Sequence, residues 1–105
     1  MKTPSEEYVR AVVDAIPYGK SNAISRRMLA SRVGMSDRET RACIEAARRD
    51  GIFIISTQEN GGGYYHATEL EEIEAQYRID HARALSVLSR LTPMRRYLKE
   101  RGVKV

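Results

Sequence analysis

The sequence predicts an α+β fold, mostly helical: a three-helix core, a β-hairpin and a long C-terminal helix. Three observations predict it. Apolar residues recur at helical spacing in successive segments before residue 51, and a capping residue opens each segment. Two β-prone runs, residues 52–57 and 64–67, flank an Asn-Gly followed by two more glycines. A helical pattern of roughly two dozen residues then begins at Glu69.

Thr3, Pro4 and Glu6 read as N-cap, first helical position and capping-box partner of the first helix. Val9, Val12, Val13 and Ile16 give its core stripe, and Pro17 stops it. A loop rich in turn formers covers residues 18–22, and Ala23-Ile24 is expected as a very short strand. Ser25 caps a short helix from Arg26 to about Val33, with Leu29 and Val33 in the core and Ala30 at a close crossing. Gly34 ends that helix in the left-handed conformation. Ser36 and Glu39 form a second capping box, opening a helix from Asp37 to about Asp50. Its buried face is Thr40, Cys43, Ile44 and Ala47.

The β-prone runs around residues 58–63 read as a hairpin. Tyr64 and Tyr65 alternate, so one is expected toward the core and one outward. Thr68 and Glu71 read as a third capping box for the long helix, from Glu69 to about Leu91. Leu70, Ile73, Tyr77, Ala84, Leu88 and Leu91 mark its apolar side. Thr92-Pro93 is expected to break it, leaving a short helix from Met94 to about Arg101 that ends at Gly102. The expected division is residues 1–67 and residues 68–105.

Composition narrows the function. The chain has 105 residues, 42% apolar and 30% charged, in keeping with one modest core. The single cysteine, Cys43, excludes an internal disulfide framework and a multi-cysteine zinc site. No apolar run approaches the roughly 18 residues of a membrane span. The opening MKTPSEEYVR is polar and acidic where a signal peptide is apolar. A cytoplasmic, reducing setting is expected, with no metal, no cofactor and no enzymatic activity. The only histidines are His66 and His81, and no P-loop, GxGxxG, HExxH or GxSxG occurs. A net charge of +4 favours an anionic partner.

The informative stretch is ISRRMLASRVGMSDRETRACIEAARRDG, from Ile24 to Gly51. Leu29 and Ala30 lie before Gly34, Met35 and Ser36 at the spacing of a helix-turn-helix. With Arg41, Ile44, residues 48–51 and the glycine-rich hairpin ending in Tyr64-Tyr65, this resembles the winged helix-turn-helix domains of bacterial and phage regulators. The likeness is to the type at the N-terminus of biotin repressors and covers about residues 5–67. The whole layout is similar to small winged-helix proteins of phages and prophages.

The resemblance implies that the helix from Asp37 enters the major groove of double-stranded DNA. Its face opposite the core holds Arg38, Ala42, Glu45 and Arg49, with Arg41 at the edge. Arg38 and Arg41 are the best base readers, because arginine bonds guanine O6 and N7 together. Ser36 and the amides of the helix start suit a phosphate. Lys20, Arg26, Arg27 and Arg32 are further phosphate candidates. Glu45 either accepts from a cytosine amine or pairs with Arg49. From Lys20 to Arg49 there are eight basic and three acidic residues, so charge concentrates on the motif.

Two features depart from the family pattern. The wing, residues 58–63, has no Lys or Arg and carries Glu59. Ala47 replaces a larger aliphatic residue, leaving space for Phe53 or Tyr64. The expected role is a phage-type transcriptional regulator or DNA-transaction accessory, acting as a homodimer through the long helix. The alternative is a protein-binding module, such as an adaptor or inhibitor of a host protein.

Overall fold

The computed structural model describes residues 3–105, apart from the side chain of Asn60. Ser5 opens α1 (Glu6–Ala15): its hydroxyl accepts from Tyr8 N–H at 3.3 Å. The cap expected at Thr3 therefore falls two residues too early, and Pro4 precedes the helix. Capping at Ser5 leaves Glu6 and Glu7 in the first turn, where carboxylates meet the positive end of the helix. Ser25 caps α2 (Arg26–Val33) through Met28 N–H, and Gly34 turns the chain at φ 70°. Ser36 caps α3 (Asp37–Arg49): its hydroxyl accepts from Glu39 N–H at 3.1 Å and donates to the Glu39 carboxylate at 2.9 Å.

Strands β1 (Ile54–Thr57) and β2 (Gly63–His66) pair antiparallel, with Ile54 opposite His66 and Thr57 opposite Gly63. β1 starts later than its β-prone run because Ile52 N–H bonds Ala47 O and closes α3 instead. The expected strand at Ala23-Ile24 reduces to one bridge. Ile24 exchanges both backbone bonds with Tyr64, at 2.8 and 2.9 Å, and Ser25 then turns the chain into α2. That bridge brings Gly63 against Ile24: a Cβ at Gly63 would lie 2.6 Å from the Ile24 carbonyl oxygen.

The core lies between α1, α2, α3 and β1, at Val12, Ile16, Ile24, Leu29, Cys43, Ile44, Ala47 and Ile54. The four residues assigned to the inner face of α3 are all buried. Buried Thr40 directs its hydroxyl to Ser36 O at 2.8 Å, so it carries no unmet polar group into the core. Full burial of Leu29 or Ile44 contributes about 1.5–3 kcal/mol each. Phe53 does not fill the space beside Ala47, being 55% exposed, whereas Tyr64 packs on the core. Tyr65 does not face outward either, at 4% exposure. Its cross-strand partner Ile55 is buried too, so the second face of the hairpin is also covered.

The last element is one helix, α4 (Leu70–Glu100), with Pro93 inside it. The break expected at Thr92-Pro93 does not occur. Proline withholds one N–H from the Ser89 carbonyl, at a turn of α4 that is exposed to solvent. The capping box uses Glu72 rather than Glu71. Because α4 starts at Leu70, the Glu72 carboxylate reaches back to Thr68 N–H at 3.1 Å and Glu69 N–H at 3.0 Å. At its far end Val103 N–H bonds Leu98 O and Gly102 N–H bonds Lys99 O, the paired bonds of a left-handed glycine terminus. The chain divides into two compact units, Met1–Ile73 and Glu74–Val105. Among the described residues no helix is long and apolar enough to cross a membrane.

Gly63→Ala forces a methyl group into backbone that cannot yield as a flexible side chain would. It is expected to destabilise by about 2 kcal/mol or more in urea denaturation, with Gly61→Ala, where the space is open, losing less. The Glu72 carboxyl is held below its ordinary value of 4.5, chiefly by Thr68 N–H, with Glu69 N–H and the Tyr65 and Thr68 hydroxyls adding to it. A depressed carboxyl stabilises above its unfolded value and loses that contribution as pH falls through the folded one. A carboxyl-detected NMR titration should place its midpoint below 4.5, and Glu72→Gln should remove that part of the acid sensitivity.

Candidate nucleic-acid interface

The inner face of α3 is consumed by the core, so its other face is what it can offer. Arg38, Arg41, Glu45 and Arg49 are exposed there, and Ala42 is half-buried between them. Gly34 and Ser36 place the start of α3 immediately after α2, which brings side chains from both helices together. Asp37 sits at that junction. One carboxylate oxygen lies 2.8 Å from Arg26 Nε of α2 as an ion pair, and the other lies 3.4 Å from Arg41 Nε one turn along α3.

The predicted basic residues therefore divide. Arg26 and Arg41 share Asp37. Lys20 bonds Glu59 at 2.8 Å, tying the loop after α1 to the hairpin tip. Arg27 and Arg38 are exposed and make no ion pair among the described residues. Ser36 is placed as expected at the helix start, with its hydroxyl committed to the cap.

Glu45 pairs with Arg48, at 2.7 Å, rather than with Arg49. Arg48 faces β1, where its Nε donates to Ile54 O at 2.9 Å and a terminal nitrogen donates to Ser56 Oγ at 3.2 Å. This arginine ties α3 to the hairpin. The tie was invisible in sequence because Ile54 and Ser56 reach α3 only in the folded chain. The Asp37 pairing was half legible: Arg41 stands at the i+4 position, but Arg26 crosses a turn.

Two further side chains with reactive groups, His66 and Cys43, are buried. His66 is buried; its Nε2 donates to Val13 O at 2.8 Å and its ring stacks on Tyr18 at 4.4 Å. Burial, and then the Glu39 charge, push the Cys43 thiol upward, so it remains a protonated packing group.

No protein-family model, curated protein or solved structure matches this chain.

The two neighbouring arginines of α3 are expected to separate in stability. Arg48→Ala removes charge-assisted bonds to β1 and should cost about 1.5–3 kcal/mol. Arg49→Ala should stay within about 0.5 kcal/mol of the parent. Urea unfolding followed by circular dichroism checks both.

Proposed function

We propose that this chain is a winged helix-turn-helix protein that binds double-stranded DNA, with α3 as the groove-reading helix and the hairpin β1–β2 as the wing. The single observation that carries the reading is the two-sidedness of α3. Thr40, Cys43, Ile44 and Ala47 are wholly taken up by the core, while an exposed arginine face stands where basic charge is most concentrated. The expected role is regulation of transcription, or support of another DNA transaction, of the kind encoded by phages and prophages.

Arg38 is the leading base reader, since it lies near the start of α3 and no acid of the described residues holds it. Arg41 and Arg26 approach phosphate or base with half of their charge answered by Asp37. Arg27 adds a phosphate contact. Ala42 offers a methyl group to a thymine methyl. Glu45 reads a cytosine amine only by releasing Arg48, and Lys20 binds phosphate only by releasing Glu59. Ser36 contributes through the amides around it, because its hydroxyl is already used.

One observation favours a second reading, a module that binds another protein. The hairpin tip carries no Lys or Arg, and its acid, Glu59, draws Lys20 to itself.

Fluorescence anisotropy on random duplex DNA across a salt series separates the two. DNA binding predicts an affinity that falls with salt at about 0.9 of a log unit per log unit for each phosphate neutralised. Arg38→Ala with Arg41→Ala should weaken binding about tenfold or more and flatten the salt slope by up to about 2, with the thermal transition unchanged. Asp37→Asn should tighten binding about threefold, since it frees two arginines and removes a charge facing phosphate. A folded chain without affinity at low salt overturns the reading.

A further inference from the structure

The surface that the α3 reading leaves unused is on α4. From Glu74 to its end no residue is buried, and only Gln76 and Leu98 are even half-covered. Exposed apolar side chains nevertheless crowd this stretch, with Tyr77 at 68%, Val87 at 46%, Leu91 at 42% and Met94 at 51%. These four share one line along the helix, with Leu88 beside it, while Ile79, Leu85 and Tyr97 lie off it. Because α4 runs unbroken through Pro93, one seven-residue pattern extends across the whole stretch. Tyr77, Ala84, Leu91 and Leu98 recur every seventh residue, and Asp80, Val87 and Met94 fall three residues after the first three of them. Six of these seven positions are apolar, in the alternating spacing of three and four that makes a two-helix seam. Ending the helix at Pro93 cuts Met94 and Leu98 off from this pattern and hides it.

Charge selects the occupant and its direction. From Glu69 to Asp80 there are five acids and one arginine; from Arg83 to Lys104 there are seven bases and one acid. Two copies side by side in parallel would set like charge against like along the whole seam. Two antiparallel copies set the acidic part of each against the basic part of the other.

We infer that residues 77–94 of α4 form an antiparallel pair with the same residues of a second copy of this chain. Placing Ala84 opposite Val87 of the partner subunit matches every layer from Tyr77 to Met94. Tyr77 then faces Met94 of the partner subunit, and Asp80 faces Leu91 of the partner subunit. Asp80, the one polar residue of the seam, comes level with Arg90 of the partner subunit. It offsets the repulsion between that arginine and Arg83, and a single polar position of this kind fixes register at a cost in stability. The matched seam of about 18 residues is about 27 Å long. This pairing stands on α4 alone and holds whether or not α3 binds DNA.

The test uses the full chain. Sedimentation equilibrium in 0.15 M salt should give twice the 11.9 kDa chain mass at micromolar concentration. Leu91→Asp should weaken the dimer at least about tenfold, since it puts a second acid opposite Asp80, while the thermal transition of the remaining core holds. Direction is read by mild oxidation of cysteine variants, with Cys43 buried and out of reach. Tyr77→Cys combined with Met94→Cys should give disulfide-linked dimers, and each single variant should not. The two sites are about 25 Å apart on one helix, too far for a bond within a chain. Single variants that cross-link to themselves would mean parallel strands and overturn the pairing. A chain monomeric at about 100 μM would overturn it as well, and so would a dimer that Leu91→Asp leaves intact. Binding of the monomer to anionic vesicles, lost in Leu91→Asp, would reassign the apolar seam and its basic end to a lipid surface.

Discussion

The structure of the first unit depends on the burial of one face of α3. Thr40, Cys43, Ile44 and Ala47 are almost fully removed from solvent, and α1, α2 and β1 all pack on that helix. The small residues matter as much as the large ones. Ala47 and Cys43 let neighbouring backbones come close, and Thr40 enters the core because its hydroxyl returns to Ser36 O. Once that face is spent, the rotation of α3 is set, and with it the row Arg38, Arg41, Glu45 and Arg49 is turned outward. The direction of the candidate interface is thus a consequence of core packing.

Electrostatics then sorts the arginines of this region into different jobs. Asp37 gathers Arg26 and Arg41 across the turn, and Arg48 serves the joint between α3 and β1. Arg27 and Arg38 are left to the solvent. A basic count along the sequence treats these residues as equivalent, but their partners do not. The proposed DNA-binding face is accordingly narrower than the charge pattern suggests, and it centres on the first turns of α3. The hairpin contributes shape and a paired acid rather than positive charge.

The helix α4 shows how one local feature can mislead a sequence reading. Proline inside a helix removes one hydrogen bond and crowds the carbonyl four residues before it, yet at the exposed turn around Pro93 α4 continues. Treating Pro93 as an end divides the apolar pattern in two. Treating it as a position within the helix restores a continuous seven-residue seam with opposite charge at its two ends, the basis of the self-pairing inferred above.

Local chemistry was enough to read α2, α3 and the core face of α3. Ser25, Gly34, Ser36 and Gly51 punctuate the chain unambiguously, and the 3.6-residue spacing of Thr40, Cys43, Ile44 and Ala47 can be satisfied by only one helix face. The hairpin was legible for the same reason, since Asn60-Gly61 between β-prone runs leaves little alternative. Choices between near-equivalent neighbours were not legible. Thr3 against Ser5, Glu71 against Glu72, and Arg48 against Arg49 differ by one or two positions in sequence, and each was decided by what lay within hydrogen-bond reach after folding. Tyr65 and its cross-strand partner Ile55 are both buried, on a hairpin face that a two-residue alternation leaves to water. The two caps turn on where the first helical residue falls, which shifts a bond of three or four residues' reach, whereas Arg48 was decided by partners on the hairpin that no pattern within α3 contains.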